Sequence, residues 1–191
     1  MPAINVLGVA GSTRANSYST KALKAALEAA QKHGAQVRLL ELTNSGVPFY
    51  SHGASVPDKV SNDVSWANAF ILASPDYHGS MSGTLKNFLD FFYEEFAGKA
   101  FGYVVASHEK GLTVMEQMRT AVRQCYGWSL PYGVSINGEQ DFSSGSPLAK
   151  VEQRIKMMAR DLVIYGSLIQ GQFAQDLAGT NSDTFAARYR P

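Results

Sequence analysis

Apolar residues along this chain fall into two alternating kinds of run. Short, nearly continuous apolar stretches at 4–10, 36–42, 69–74, 101–107 and 130–137 read as strands. The third, AFILAS, is the kind of run expected where both faces of a strand are covered. Between the first two, Leu23, Ala26, Leu27 and Ala30 recur at i, i+3, i+4 and i+7, the stripe of a helix reaching His33, with Gly34 as its stop. Further helices are predicted over 58–67, 84–97, 114–125 and 148–165. The last two dozen residues or so carry no clear period.

Five strands alternating with helices predict an α/β fold: parallel βαβ units in a three-layer sandwich around a five-stranded parallel sheet. The division expected is one domain over 1–170 and a C-terminal tail over 171–191 that wraps the body or a neighbour. In open sheets of this type ligands sit beyond the carboxyl ends of the strands, near the point where strand order reverses. The turns after strands one, three and four are therefore the places to look for chemistry.

Composition narrows the field. A chain of 191 residues, 45% hydrophobic, can bury a sizeable core. Its net charge of +1 argues against a broadly basic nucleic-acid surface. No stretch approaches the roughly 20 apolar residues of a membrane-spanning helix. The start, MPAINVLGVAGSTR, has no leading basic region and reads as a strand entering a Gly-rich turn rather than a signal peptide. A single cysteine, Cys125, rules out an intrachain disulfide, and cytoplasm is the default compartment. Charged residues, 17% of the chain, are sparse, as expected if a subunit or ligand covers part of the surface.

The first turn holds Ser12, Thr13, Ser17, Tyr18, Ser19 and Thr20, with Arg14 and Asn16 among them. One helix cap needs one hydroxyl; six hydroxyls and a guanidinium at a helix N-terminus suit a terminal phosphate monoester. The dinucleotide fingerprint G-x-G-x-x-G is absent, as is the Gly-Lys-Ser/Thr of nucleoside-triphosphate loops, so a mononucleotide fits better. In the second turn Pro75, Asp76, Tyr77, His78, Gly79 and Ser80 make a rigid loop. Its backbone can read the edge of a flat heterocycle while Tyr77 and His78 lie against the face. The third, with Ser107, His108 and Gly111, is placed to close the far edge of the same ring, and a solvated loop is its plainer reading.

Other chemistry fares badly. A phosphatase-like role for Cys125 needs an arginine six residues on, where Pro131 stands. The string Gly79-Ser80-Met81-Ser82-Gly83 has Met81 where a hydrolase elbow needs serine. The four histidines have no metal-ligand spacing, and no metal site is predicted.

GSTRANSYST after the first strand and SPDYHGSMSGTLKNFLD after the third resemble the two motifs of the NADPH-dependent FMN reductase family. That resemblance spans about the first 135 residues. It implies a flavodoxin-like fold, FMN and NADPH as cofactors, and a small-molecule electron acceptor such as a flavin or quinone. It also implies a homodimer or homotetramer. Position by position, Ser12, Arg14, Ser17 and Ser19 would hold the FMN phosphate, and 75–80 would cradle the ring. Asp76 stands where the family commonly has Glu, His78 where it has Asn, and Ser82 where it has Pro. The resemblance implies hydride transfer from NADPH to bound FMN and on to the acceptor, chemistry that belongs to the flavin and calls for no catalytic side chain. Backbone N–H groups of 108–111, with His78 or Lys110, are candidates to steady charge on the ring. A non-catalytic flavodoxin-like electron carrier or flavin sensor is the alternative, and the absence of strong acidity speaks for the enzyme. Finally, Phe91 falls off the apolar stripe of the 84–97 helix, predicting a homodimer packed through that helix.

Overall fold

The strand runs become a parallel sheet because the inner ones, at 5–10, 69–75 and 100–106, are buried on both faces and are followed by helical crossovers. The computed structural model describes residues 3–190; Met1, Pro2 and Pro191, which the predicted domain division includes, lie outside them. In chain order the elements are β1 (Asn5–Ala10), α1 (Tyr18–Lys32), β2 (Gln36–Glu41), α2 (Asp58–Trp66), β3 (Ala69–Pro75), α3 (Gly83–Leu89), β4 (Ala100–Ala106) and α4 (Leu112–Gln124). They continue with β5 (Trp128–Ser129), β6 (Val134–Ile136), the small hairpin β7 (Phe142–Ser143) and β8 (Ser146–Pro147), and α5 (Ala149–Ala178). Strand order is β2-β1-β3-β4-β5, with β6 also on β4, and all pairs are parallel. Order reverses between β1 and β3, whose carboxyl ends therefore open one crevice.

Side chains along each strand alternate between the two covering layers. Val6, Ile71 and Val104 face α1 and α5; Leu7, Phe70, Leu72 and Tyr103 face α2, α3 and α4. The helix α1 closes as its stripe predicts: Gly34, at φ +89°, donates its N–H to Gln31 O at 3.0 Å, and Ala35 N–H reaches Ala30 O at 3.2 Å.

Three predicted elements differ. The helix expected over 84–97 ends at Leu89, where i−3 bonds (Phe91 N–H to Phe88 O, Phe92 N–H to Leu89 O) tighten the chain before a 3₁₀ turn at Glu94–Phe96. Phe88, Phe92 and Phe96 still meet in the core, so the apolar spacing survives the loss of helix. Phe91 is half-buried rather than exposed, with the Tyr50 ring edge-on at 5.2 Å, which removes the argument for a partner helix there. The fifth strand is split: its offset against β4 grows from 28 to 30 residues across Pro131, Tyr132 and Gly133. The last helix runs on through position 170 to Ala178, and a 3₁₀ turn at Phe185–Tyr189 folds back on it, Phe185 and Tyr189 flanking Phe173. Gly166 is where the helix crosses the sheet, and a Cβ there would meet Ile4 Cδ1 at 2.9 Å. Among the described residues no helix is long and apolar enough to cross a membrane.

At the opposite end of the sheet, Lys99 lies under Phe70 with its Nζ donating to Val64 O at 3.0 Å. Burial lowers its pKa from 10.5 to about 8, the Glu95 charge opposing only in part. The unfolded chain thus binds the extra proton between pH 8 and 10.5, so stability should rise with pH through that window. Denaturant titrations at pH 7.5 and 10 should show a gain of about 1–2 kcal/mol in the wild type and none in Lys99→Met. An equal gain in both would remove Lys99 as its source.

Candidate active site

The first turn is fixed by Gly11, whose N–H donates to Ala73 O at 2.8 Å while its carbonyl accepts Ser82 Oγ–H at 2.7 Å. Asn16, at φ +56°, turns the chain into α1. Ser17 occupies the N-cap position, yet its hydroxyl bonds Ser19 Oγ at 2.8 Å instead of a helix N–H. The first turn of α1 also contains no acidic residue. Its N–H groups and the positive end of the helix are thus left for an external anion. Ser12 is buried, its Oγ accepting Arg14 N–H at 3.2 Å; Arg14 and Asn16 are exposed at the mouth.

The second turn doubles back tightly. Tyr77 and Ser80 exchange backbone bonds of 3.0 and 3.1 Å around His78 and Gly79, both at positive φ (58° and 75°). That is the geometry in which Asn-Gly is favoured and a histidine is strained. Two external clamps hold it. Asp76 Oδ1 accepts Gly79 N–H and its Oδ2 accepts Ser107 Oγ–H, each at 2.8 Å, tying the β3 turn to the β4 turn. From α4, Gln117 Oε1 accepts Ser80 Oγ–H at 2.9 Å and Met81 N–H at 3.2 Å, while its Nε2 donates to Gly79 O. Ser82 caps α3 by accepting Leu85 N–H, and its own N–H donates to Ser74 Oγ at 2.9 Å, a bond proline could not make.

These turns converge on a cleft of about 700 Å³ lined by Ser12, Arg14, Asn16, Ser17 and Tyr18 from the first turn, Pro75, Asp76 and Tyr77 from the second, and Ser107 and His108 from the third. A second cleft of about 710 Å³ shares Asp76, Ser107 and His108 with it and adds His78, Gly79 and Gly111. Two predicted site residues line neither: Ser19 is buried beneath Ser17, and Ser80 turns its hydroxyl to Gln117. Of the 108–111 amides, that of Glu109 is bound by Ser107 Oγ at 3.1 Å. Gly111 must be glycine, for at φ +59° a Cβ would meet Val105 Cγ1 at 2.6 Å.

Sequence reasoning passed over the fourth wall, Asn137, Gly138, Glu139 and Gln140. The same rule that singled out the other turns applies there, since these residues follow the fifth strand. Asn137 Nδ2 donates to His108 O at 3.0 Å and joins this wall to the third turn. Cys125 lies apart: its thiol faces Phe92 O and burial raises its pKa, so it is a poor nucleophile.

The family model described as NADPH-dependent FMN reductase matches residues 4–141. The chain is 34% identical over 93 residues to an NAD(P)H-dependent FMN reductase of Pseudomonas aeruginosa, covering 46% of this chain and 49% of the relative. It is 30% identical over 108 residues to an NADPH azoreductase of a Bacillus species, covering 52% and 61%. The matched stretch thus spans about half to three fifths of these curated relatives. In three dimensions the chain is similar to a flavodoxin, WrbA-like protein from Agrobacterium tumefaciens, with a TM-score of 0.67 and 16% identity over 87% of this chain and 99% of that one, a likeness of fold.

Proposed function

Since the chain belongs to the NADPH-dependent FMN reductase family, we propose that it binds FMN in the cleft between the first, second and third turns and uses it to oxidise NAD(P)H. The uncapped start of α1, flanked by the hydroxyls of Ser12 and Ser17 and by Arg14, fits a phosphate monoester. Ser12, Arg14 and Ser17 would hold the FMN phosphate, and the bound flavin would supply the redox chemistry between NAD(P)H as hydride donor and a small acceptor such as a second flavin, a quinone or an azo compound.

The chain's own contribution is placement. Asp76 has both carboxylate oxygens engaged, so its function is to lock the second turn against the third. Gln117 holds the opposite side of that loop, leaving Tyr77, 42% exposed, at the cleft rim where a ring can stack. The N–H groups of His108, Lys110 and Gly111 donate to no partner within the chain among the described residues and stand ready to donate to a carbonyl on the ring's edge.

The observation that carries this reading is the one cleft lined together by Ser12, Arg14 and Ser17 of the first turn, Asp76 and Tyr77 of the second and Ser107 of the third, with the Asp76–Ser107 bond clamping the two ring-fitting loops. Purified protein given NADPH and excess FMN or a quinone should consume NADPH continuously. A single stoichiometric bleaching would mark a carrier or sensor instead, and the absence of any flavin band after reconstitution would end the FMN assignment.

A further inference from the structure

Beyond the second cleft, across the ridge of Glu109, Lys110 and Leu112, lies a third of about 580 Å³ between α4, the break in the fifth strand and the start of α5. It is unusual in its cations for a chain of net charge +1: Lys110, Arg119, Lys150 and Arg154 all line it. Among the described residues Lys110, Lys150 and Arg154 make no ion pair, and Arg154 reaches only Gly133 O at 3.3 Å. Arg119 has a loose contact of 3.3 Å with the exposed Glu116, its guanidinium 5.7 Å from the Tyr103 ring, and its Nε is buried without a partner. Of the carboxylates here, Asp141 is turned into its own loop by Asn137 N–H at 2.6 Å and Glu109 is exposed. Met115, Leu112 and Tyr132 give apolar wall beside this charge.

We propose that this cleft receives the adenosine 2′-phosphate of NADPH, with Lys150 and Arg154 as the selecting cations. The inference rests on the FMN reading, because the two clefts share Glu109, Lys110 and Leu112, the ridge over which one extended dinucleotide would reach from the ring to this cleft. A dianionic monoester needs several donors not already neutralised, which these side chains supply. The apolar wall suits an adenine face.

Calorimetric titration of the flavin-loaded protein with adenosine 2′,5′-bisphosphate and with 5′-AMP tests it. The wild type should prefer the bisphosphate by about tenfold or more. Lys150→Gln/Arg154→Gln should abolish that preference while leaving the bound-flavin spectrum and melting temperature in place. No preference in the wild type, or one that survives both substitutions, overturns the assignment. NADPH turnover is read separately: absent turnover counts against the reductase reading, whereas absent preference in a protein that still turns over counts against this cleft alone.

Discussion

Gly11→Ala is expected to destabilise the fold by about 3 kcal/mol and to abolish most FMN binding. The reason is steric. A Cβ on residue 11 would stand 2.7 Å from Leu85 Cβ, 2.8 Å from Ser82 Oγ and 3.1 Å from Ala73 O. The serine oxygen can swing away, although it would then release the Gly11 carbonyl. The other two cannot: Leu85 Cβ is anchored to α3 in the core, and Ala73 O is the acceptor for Gly11's own N–H. Relief requires the first turn to lift off β3, which opens the crevice between the β1 and β3 ends where the proposed phosphate and ring sites meet. Gly83→Ala is the internal control, since no atom lies within 4 Å of a Cβ there and the residue begins α3. It should be neutral or slightly stabilising, by up to about 1 kcal/mol. Denaturant unfolding and quenching of flavin fluorescence measure both quantities. A Gly11→Ala protein as stable as Gly83→Ala would show that the close approach carries no constraint.

Much of this is legible in the sequence because the information is local. Strand runs, the α1 stripe and the Gly34 stop each lie within a dozen or so residues, and the carboxyl-end rule then places three turns together. What was not legible depends on partners distant in sequence. Gln117 reads as one more polar residue on α4, yet it grips a loop 36–38 residues upstream. Ser19 and Ser17 are indistinguishable as hydroxyls in the string, and only helix geometry puts one in the cleft and the other beneath it. The 84–97 segment misled for a different reason. Apolar residues three and four apart stay on the core side through 3₁₀ turns as well as through a helix, so the burial pattern does not record where the α-helix stops. Phe91 was then assigned to a face by a helix that no longer existed at its position. Ser82 shows the converse: it stands where the family commonly has proline, and here its N–H and hydroxyl bind Ser74, Leu85 and Gly11.

Arg14→Ala is expected to weaken FMN about 10- to 100-fold while leaving riboflavin nearly unchanged, because a charge-assisted contact is typically worth about 1.5–3 kcal/mol. Arg14 is exposed and forms no ion pair among the described residues, so its removal leaves no buried carboxylate stranded and should not disturb the fold. The rest of the proposed phosphate site consists of neutral donors: the hydroxyls of Ser12 and Ser17 and the first amides of α1. Those donors remain in the variant, which is why binding falls rather than vanishes. Arg14→Lys should recover part of the loss, as it keeps the charge but not the two-pronged geometry. Salt offers a second discriminant, since a contact at the mouth of the cleft is screened at high ionic strength, and the wild-type advantage over Arg14→Ala should shrink accordingly. Dissociation constants for FMN and riboflavin, measured by fluorescence in low and high salt, give all three comparisons. Equal losses for the two ligands would place the phosphate elsewhere in the cleft, and with it the ribityl chain and the ring.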